Sequence, residues 1–283
     1  MLRKFALNLR SRLTILTNQL LQDTERARRQ ARFLEDQIGN FRKKNPLLGL
    51  PVCFFSQNDE DQILLSILER IEKHQRPSVF LELGVGNGLE NNTIVLLAIG
   101  WSGVWVGGQE LAFETADSRV TFQRAWVTND NVSSLVADGL RKRGRSIADV
   151  DVASIDLDGN DFHFVKTLFA DGLRPAILII EYNAKFPPPI RFVMDYNPAH
   201  TWAWNDYFGA SLSSWDDLLT SEGYRLVACN LNGANAFYVD QRYSEKFQDV
   251  PSDISQLFIP GTHVSLPRSG HSTSANMLRQ LSR

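Results

Sequence analysis

A glycine-rich turn behind a short apolar run is the first feature of the sequence that could bind a ligand. The run Val79–Leu83 is typical of a buried parallel strand, and Gly84, Gly86 and Gly88 follow it. Glycines allow the backbone to turn tightly and to approach a ligand closely. Residues 90–93 then open an apolar run that suits the start of a helix. Strand, turn and helix N-terminus together predict a nucleotide-type binding site.

The residues around the turn argue against a dinucleotide. Dinucleotide-binding turns usually follow the pattern G-x-G-x-x-G, whereas residues 84–89 have no glycine at the sixth place. Glu82 stands two residues before the first glycine. A carboxylate there is poorly placed for a pyrophosphate and better suited to a ligand that carries an amino group and a sulfonium. A dinucleotide-dependent oxidoreductase is therefore disfavoured.

Oxygen-bearing side chains follow two further strand-like runs. Asp156 and Asp158 end one run, and Glu181 and Asn183 end the next. The carboxyl ends of parallel strands line the ligand crevice of open α/β sheets. These four side chains could hold Mg²⁺ and lower the pKa of a substrate hydroxyl bound to it. In a purely structural interpretation, Asp161 starts the next helix and residues 158–160 form its turn.

A general base is the alternative to a metal at the same place. Asp158 could accept the proton of a hydroxyl directly, and His163 is the next candidate because its reference pKa is near neutral. Lys185 could orient or deprotonate the acceptor if burial lowers its pKa. We place the base slightly ahead of the metal, because the sequence does not fix a ligand geometry.

Hydrophobic periodicity predicts the elements that must position these residues. Strand-like and helix-like runs alternate, which argues for a parallel, doubly wound sheet, and the last two strands suit an antiparallel pair. The predicted strands are Val79–Leu83, Val104–Val106, Thr121–Val127, Val152–Asp156, Ala176–Glu181, Tyr224–Cys229 and Ala236–Asp240, and the predicted helices cover 59–73, 90–99, 131–142 and 161–170.

Six stretches, taken together, resemble class I S-adenosylmethionine-dependent methyltransferases of the FkbM type. They are Phe55–Asp61, Glu82–Thr93, Gly100–Trp105, Ser154–Asp161, Ile180–Asn183 and Tyr207–Ser211. The resemblance implies a Rossmann-like seven-stranded sheet, mostly parallel with an antiparallel last strand, and methyl transfer to oxygen, often on a sugar or polyketide hydroxyl. It implies S-adenosylmethionine as cofactor, with Glu82, Gly84, Gly86, Gly88, Asn92, Gln109, Glu110 and Asp156 as candidate binding residues.

One position departs from the class I pattern. These enzymes usually end the second strand with an acid that accepts both ribose hydroxyls, and Gly107 stands there in this sequence. Gln109 or Glu110 could reach in from the loop, because Gly107 and Gly108 allow an unusual path. Alternatively, cofactor binding is weak or lost, and the protein is a non-catalytic binding or scaffold protein. We favour retained binding, since Glu82 and the three glycines are present.

The N-terminal residues differ in composition from the rest. Residues 1–45 hold eleven Lys or Arg against four Asp or Glu, although the whole chain has a net charge of only −2. Leucines and other apolar residues recur there at helical spacing, so residues 1–50 predict a basic amphipathic helical arm. The arm could contact an anionic surface, or it could pack on the domain or pair in a short coiled coil. We favour self-association into a homo-oligomer over nucleic-acid binding.

The remaining segments predict an acceptor-binding lid and a tail. Residues 186–209 combine three consecutive prolines with aromatic residues, among them Trp202 and Trp204, which suits a small-molecule or glycan acceptor. Alternatively, these aromatic residues close a small core beneath a long loop. The α/β domain is expected over 51–248 and an irregular tail over 249–283. No apolar run is long enough for a membrane span and no secretory signal is visible. The two cysteines, Cys53 and Cys229, fit a reducing cytoplasm.

Overall fold

The computed structural model describes residues 24–25, 32, 35–36, 38–49, 54–74, 77–113 and 119–261. The chain divides into two units, Met1–Lys43 and Lys44–Arg283. In the first unit, residues 38–43 are helical, and most of the predicted amphipathic arm lies outside the described residues. No helix in the described ranges is long and apolar enough to cross a membrane.

The second unit is built on one seven-stranded sheet with the order β3-β2-β1-β4-β5-β7-β6. Strands β1 to β5 pair in parallel, and β7 lies antiparallel between β5 and β6. The predicted α/β sheet, mostly parallel with an antiparallel last strand, is confirmed. The strands are β1 Val79–Leu83, β2 Ser102–Gly107, β3 Val120–Arg124, β4 Val150–Ile155, β5 Ile177–Glu181, β6 Tyr224–Cys229 and β7 Asn235–Asp240.

Helices follow most of the strands, close to the predicted positions. They are α1 Glu60–Arg70, α2 Ile94–Ala98, α3 Val132–Arg141, α4 Asp161–Ala170, α5 Leu212–Ser221 and α6 Ile254–Leu257. Helix α5 was not predicted, although its signals are present in the sequence. Ser211 caps it by accepting a hydrogen bond from the backbone N–H of Ser214, and Trp215 and Leu219 are fully buried at helical spacing.

The register of the sheet brings the ends of its central strands to one edge. Leu83 at the end of β1 pairs with Val106 on one side and with Ile155 on the other. The backbone N–H of Gly84 donates to the carbonyl of Val106 at 2.9 Å, and that of Asp156 donates to Leu83 at 3.0 Å. The glycine turn and the acidic residues after β4 therefore emerge side by side.

Packed residues lie on both sides of the predicted domain bounds, 51–248, which stay a prediction. Asn45 belongs to the second unit, where its side chain donates to the carbonyl of Val227 at 2.7 Å. Past residue 248, Val250, Leu257 and Ile259 are buried, so this part of the expected irregular tail is packed into the domain. The hydroxyl of Tyr182 donates to the carbonyl of Ile259 at 2.6 Å. Residues 262–283 of the tail lie outside the described residues.

Candidate functional site

A cleft of about 1090 Å³ lies at the edge where the central strands end. Its walls come from the glycine turn after β1, the residues after β4 and β5, and the loop between β6 and β7. Trp202, Trp204 and Phe208 of the 186–209 segment line it as well. Most of the residues singled out from the sequence therefore meet in one cavity.

Glu82 holds the glycine turn in place. Its carboxylate accepts hydrogen bonds from the backbone N–H groups of Asn92 at 2.8 Å and Thr93 at 3.1 Å, and from the Thr93 hydroxyl. The indole of Trp105 in turn donates to the Thr93 hydroxyl oxygen at 2.8 Å. Burial raises the pKa of Glu82 to about 7, although these hydrogen bonds oppose the shift. Glu82 lines the cleft, but its first role is to fix the backbone after the turn.

Two glycines of the turn have distinct tasks. Gly84 has φ 95°, and a Cβ there would overlap the carbonyl oxygen of Asp156, so only glycine allows the two strand ends to approach. Gly86 has φ 50°, and a Cβ there would have no neighbour within 4 Å, because it faces open space beside the cleft. Gly88 packs against the side chains of Leu111 and Phe113 and is not part of the cleft wall.

The end of β2 does not supply a substitute acid. Gln109 and Glu110 are exposed and are not part of the cleft wall, and Glu110 pairs with Arg124 at 2.6 Å. Gly107 does not have a positive φ, so its backbone would accept a side chain. However, a Cβ at Gly107 would lie 2.9 Å from the Cγ2 of Val85. The buried Val85 therefore occupies the space next to the missing acid.

Three carboxylates gather where β4 and β5 end. Oxygen atoms of Asp156, Asp158 and Glu181 all lie within 4.8 Å of one another. Burial, reinforced by the neighbouring carboxylates, raises the pKa values of Asp156 and Glu181 well above their usual range. The side chain of Asp158 stays exposed, but partial burial still raises its pKa, with His200 acting in the opposite direction. Asp158 also has φ 56°, a left-handed conformation that is unusual for a residue with a side chain.

Asp161 has a structural role, as in the alternative interpretation in which it starts the helix after the acidic turn. Its fully buried carboxylate accepts from the backbone N–H groups of Leu157 at 2.6 Å and Gly159 at 2.9 Å. It lies in the first turn of α4, and burial raises its pKa to about 6. Asp161 thus shapes the acidic turn.

The 186–209 segment is tied to the acidic turn at several points. Asn160 donates through Nδ2 to the carbonyl of Asn197 at 2.7 Å and accepts from the Asn197 backbone N–H at 3.1 Å. The backbone N–H of Gly209 donates to the carbonyl of Gly159 at 3.1 Å. These bonds hold the segment against the residues that carry the carboxylates, and we call it the lid.

Asn183 anchors the other end of the lid. Its Nδ2 donates to the carbonyls of Asp206 and Phe208, each at 2.9 Å, and its Oδ1 accepts from the backbone N–H of Lys185 at 3.1 Å. These bonds use the amide that we considered as a metal ligand. Lys185 lines the cleft, and its ammonium lies 3.6 Å from the buried carboxylate of Asp206.

His163 does not reach the cleft, and a role as catalytic base does not fit its position. Its Nε2 lies 2.8 Å from the carbonyl of Met194, so it carries the proton and donates to that oxygen. The ring packs against Tyr196 with 5.5 Å between ring centroids. His163 therefore supports the lid from beneath, and its place near Asp158 in the sequence was a misleading signal.

Two tryptophans of the lid form an aromatic surface in the cleft. The rings of Trp202 and Trp204 lie 4.6 Å apart at an interplanar angle of 32°. Trp204 is 78% exposed and has φ 57°, so the backbone holds this ring in the opening in an uncommon conformation. Such a surface can stack on the apolar face of a ring-shaped ligand.

Sequence reasoning did not single out several polar residues of the cleft wall. Gln57, Glu60, Asn91 and Asn235 line the cleft, but the first three were counted only as parts of longer stretches and Asn235 was missed. In the sequence, the asparagine-rich loop 230–235 indicates only a turn between the last two strands. Its repeated amides were the signal that could have indicated a polar wall.

The cleft is strongly acidic. Six carboxylates line it, and Lys185, which pairs with Asp206, is the sole lysine or arginine among its described lining residues. The six are Glu60, Glu82, Glu90, Asp156, Asp158 and Glu181. A bound cation would favour the ionised forms of these carboxyl groups, whereas a phosphate would oppose their ionisation. The cleft therefore suits a cationic ligand better than one with phosphate groups.

Comparisons with known proteins find remote structural neighbours. No family profile and no curated protein matches the sequence. A Lactococcus lactis protein described as a hemolysin has 14% identity and a TM-score of 0.39, covering 64% of this chain and 86% of its own. A Plasmodium falciparum protein described as a ribosomal RNA methyltransferase has 10% identity and a TM-score of 0.38, covering 66% and 97%. Human N-acetylserotonin methyltransferase in complex with SAM has 10% identity and a TM-score of 0.35, covering 64% and 56%. Neighbours this remote do not transfer an activity or a substrate, and the FkbM branch stays a prediction.

The raised pKa values predict how stability depends on pH. An acid whose pKa is higher in the folded state binds protons more tightly when folded, so stability falls as pH rises from the unfolded value towards the folded one. Seven carboxyl groups among the described residues behave in this way. His200, whose pKa is lowered, acts oppositely near neutral pH, and four carboxyl groups with lowered pKa act oppositely only at more acidic pH. The seven are Asp59, Glu82, Asp156, Asp158, Asp161, Glu181 and Asp216.

We therefore expect the midpoint of thermal unfolding to be several degrees higher at about pH 5.5 than at about pH 7.5. Glu181→Gln should reduce this difference, while Glu245→Gln on the surface should preserve it. Scanning fluorimetry across this range measures both. A midpoint that rises towards pH 7.5 in the wild type would contradict the burial of these charges.

Proposed function

We propose that the protein is an S-adenosylmethionine-dependent O-methyltransferase that acts on a hydroxyl of a glycan or glycosylated metabolite. The observation that carries the proposal is the glycine turn at the head of an acidic cleft whose described lining offers one lysine, itself paired with Asp206. S-adenosylmethionine carries a sulfonium and an ammonium group, which suit such a cleft. The pyrophosphate of a dinucleotide does not.

The proposed cofactor site lies around the turn. Gly84 and Gly86 allow the backbone to approach the cofactor, and Asp156 lies beside Gly84 with its carboxylate in the cleft. Glu82 keeps the turn in position through its bonds to Asn92 and Thr93. When bound, the cofactor supplies an electrophilic methyl group on its sulfonium.

Asp158 is the proposed general base. It lines the cleft at the end of β4, and a pKa raised by burial makes its carboxylate a better proton acceptor near neutral pH. The substrate hydroxyl would lose its proton to Asp158 while its oxygen forms a bond to the methyl carbon. The bond between that carbon and the sulfur would break at the same time, and its electron pair would stay on the sulfur, which leaves as a neutral thioether. Lys185, held by Asp206, orients the acceptor. Positioning supplies the rest of the rate, because the transfer needs the oxygen, carbon and sulfur atoms in line.

A divalent cation is the alternative use of the same carboxylates. Asp156, Asp158 and Glu181 present hard oxygen ligands within reach of a single ion, and Mg²⁺ or Mn²⁺ prefers such ligands. Asn183 fits this set less well because its amide is bonded to the lid. Removal of metal by a chelator separates the two mechanisms.

The lid suggests the substrate class. The paired rings of Trp202 and Trp204 offer a stacking surface, and amide side chains such as Gln57 and Asn91 stand in the same cleft. Aromatic faces combined with amides and carboxylates suit a sugar ring with several hydroxyl groups.

We also propose that the basic N-terminal residues mediate self-association.

One observation favours a second candidate, a binding or scaffold protein with weak cofactor use. Val85 fills the space beside Gly107, and neither Gln109 nor Glu110 lines the cleft. The two ribose hydroxyls would then lack their usual acceptor, and affinity for the cofactor would fall.

Calorimetry with S-adenosylmethionine, S-adenosylhomocysteine and NAD tests the proposed function. We expect S-adenosylmethionine to bind and NAD not to bind, because the cleft repels phosphates. Gly86→Val should weaken binding at least about ten-fold by placing atoms in open space beside the turn. Gly144→Val is the matched control, since Gly144 also has a positive φ and open surroundings but lies outside the cleft. Binding of NAD alone, or equal losses in both variants, would refute the proposal.

Gly107 allows a direct test of the weak-cofactor candidate. Gly107→Asp alone should lower stability or leave affinity unchanged, because the new side chain meets Val85. The double variant Gly107→Asp/Val85→Ala should tighten S-adenosylmethionine binding, since it makes room for an acid that accepts the ribose hydroxyls. Val85→Ala alone serves as the control. No gain in the double variant would show that the ribose does not lie at the end of β2.

Methyl transfer to sugars, measured with radiolabelled cofactor, tests the base. Asp158→Asn should lower turnover by roughly two to four orders of magnitude, and EDTA should leave wild-type activity intact. His163→Gln should stay within a few-fold of the wild type, because His163 lies outside the cleft. Activity that EDTA abolishes and Mg²⁺ restores would favour the metal mechanism instead.

A further inference from the structure

Two neighbouring residues at the strand ends leave buried oxygen atoms without partners. Glu181 at the end of β5 and Asn235 at the start of β7 are directly paired across the two strands. Both line the cleft. Within the described part of the chain, Oε2 of Glu181 and Oδ1 of Asn235 are shielded and have no hydrogen-bond partner. Asn235 is only 5% exposed. We call these two residues the β5–β7 pair.

The orientation of the Asn235 amide follows from its surroundings. Its Nδ2 donates to Oε1 of Glu60 at 3.3 Å, and Glu60 is itself buried and accepts from Nδ2 of Asn230 at 2.6 Å. A flipped amide would set its oxygen against the Glu60 carboxylate. The Asn235 oxygen is therefore the atom left for a ligand, and the β5–β7 pair presents two acceptors.

Two buried acceptors without partners favour a ligand group that donates hydrogen bonds. A buried acceptor without a partner costs free energy, because it has lost its hydrogen bonds to water. A hydroxyl could donate one hydrogen bond, whereas an ammonium donates three and carries a positive charge. The carboxyl groups of Glu60, Asp156 and Asp158 also line this cleft, and a bound ammonium would favour their ionised forms. The surrounding charge thus favours the ammonium over the hydroxyl.

We propose that the β5–β7 pair binds the positively charged amino group of the acceptor, so that the substrate is an amino sugar or a similar amino-bearing polyol. The exposed ring of Trp204 in the same cleft offers a face for the sugar ring. The choice of acceptor rests on the proposed function, but binding of the amino group does not depend on the cofactor.

Ligand-observed NMR titrations with D-glucosamine, D-glucose and N-acetyl-D-glucosamine, in EDTA and without cofactor, test the proposal. We expect glucosamine to bind at least about ten-fold more tightly than the two neutral sugars. Glu181→Gln should abolish this preference. Glu90→Gln, which removes a carboxylate elsewhere in the cleft, should keep the preference.

Three outcomes would overturn the inference. Equal binding of glucose and glucosamine by the wild type would show that the pair does not select an amino group. A preference that survives Glu181→Gln would place the amino site elsewhere. Sugar binding that appears only when Mg²⁺ replaces EDTA would assign the carboxylates to a metal. If the protein prefers glucosamine but does not bind S-adenosylmethionine in calorimetry, this inference stands and the proposed function is refuted. If it binds S-adenosylmethionine but shows no preference for glucosamine, the proposed function stands and this inference is refuted.

Discussion

The hydrogen bonds of one buried carboxylate set the geometry of the whole ligand-binding edge. Glu82 reaches from the end of β1 to the backbone at Asn92 and Thr93, beyond the glycine turn. Within the turn, the backbone N–H of Gly88 donates to the carbonyl of Val85 at 2.8 Å, while the glycines themselves restrict the backbone conformation little. The bond between the Trp105 indole and the Thr93 hydroxyl links the same point to β2. The turn, the start of α2 and two central strands are therefore fixed relative to one another by this side chain.

The topology of the sheet brings several acidic side chains together in the cleft, although placing them close to one another is unfavourable. Parallel strands in register deliver the residues after β4 and β5 to one edge, and several of these residues are acids. Burial disfavours the charged forms of these groups and their mutual repulsion adds to this cost, which is why the pKa values of Asp156 and Glu181 rise. Asp161 and Glu60 are compensated by backbone and amide donors. Glu181 is not compensated in this way, and it is this difference that marks the residue as a partner for a ligand.

Much of the fold could be predicted from the sequence because it depends on local patterns. Buried strands such as β1 and β6 stand out as apolar runs, and their observed bounds equal the predicted ones. Helix α5 was missed because it follows a lid rich in proline and aromatic residues, where periodicity is hard to recognise. The packed segment after Phe247 was missed because it has little regular structure, and its burial comes from tertiary contacts.

The positions of site residues were predictable where they follow from the topology of the sheet alone. Residues directly after parallel strands must reach the common edge, and Gly84, Asp156, Asp158 and Glu181 all do so. Sequence distance misled for His163, because α4 carries its side chain away from Asp158 and under the lid. Asn235 escaped notice because its importance depends on antiparallel pairing with β5, which no local pattern shows.

The two hydrogen bonds between Asn160 and Asn197 have a consequence for the geometry of the acidic turn. It joins the lid to the same tight turn that holds Asp158 in its left-handed conformation. A lid that swings away must break these bonds and release the turn, and the carboxylate of Asp158 then loses its fixed direction. The position of the lid and the direction of the Asp158 carboxylate are therefore coupled, so that a change in one requires a change in the other.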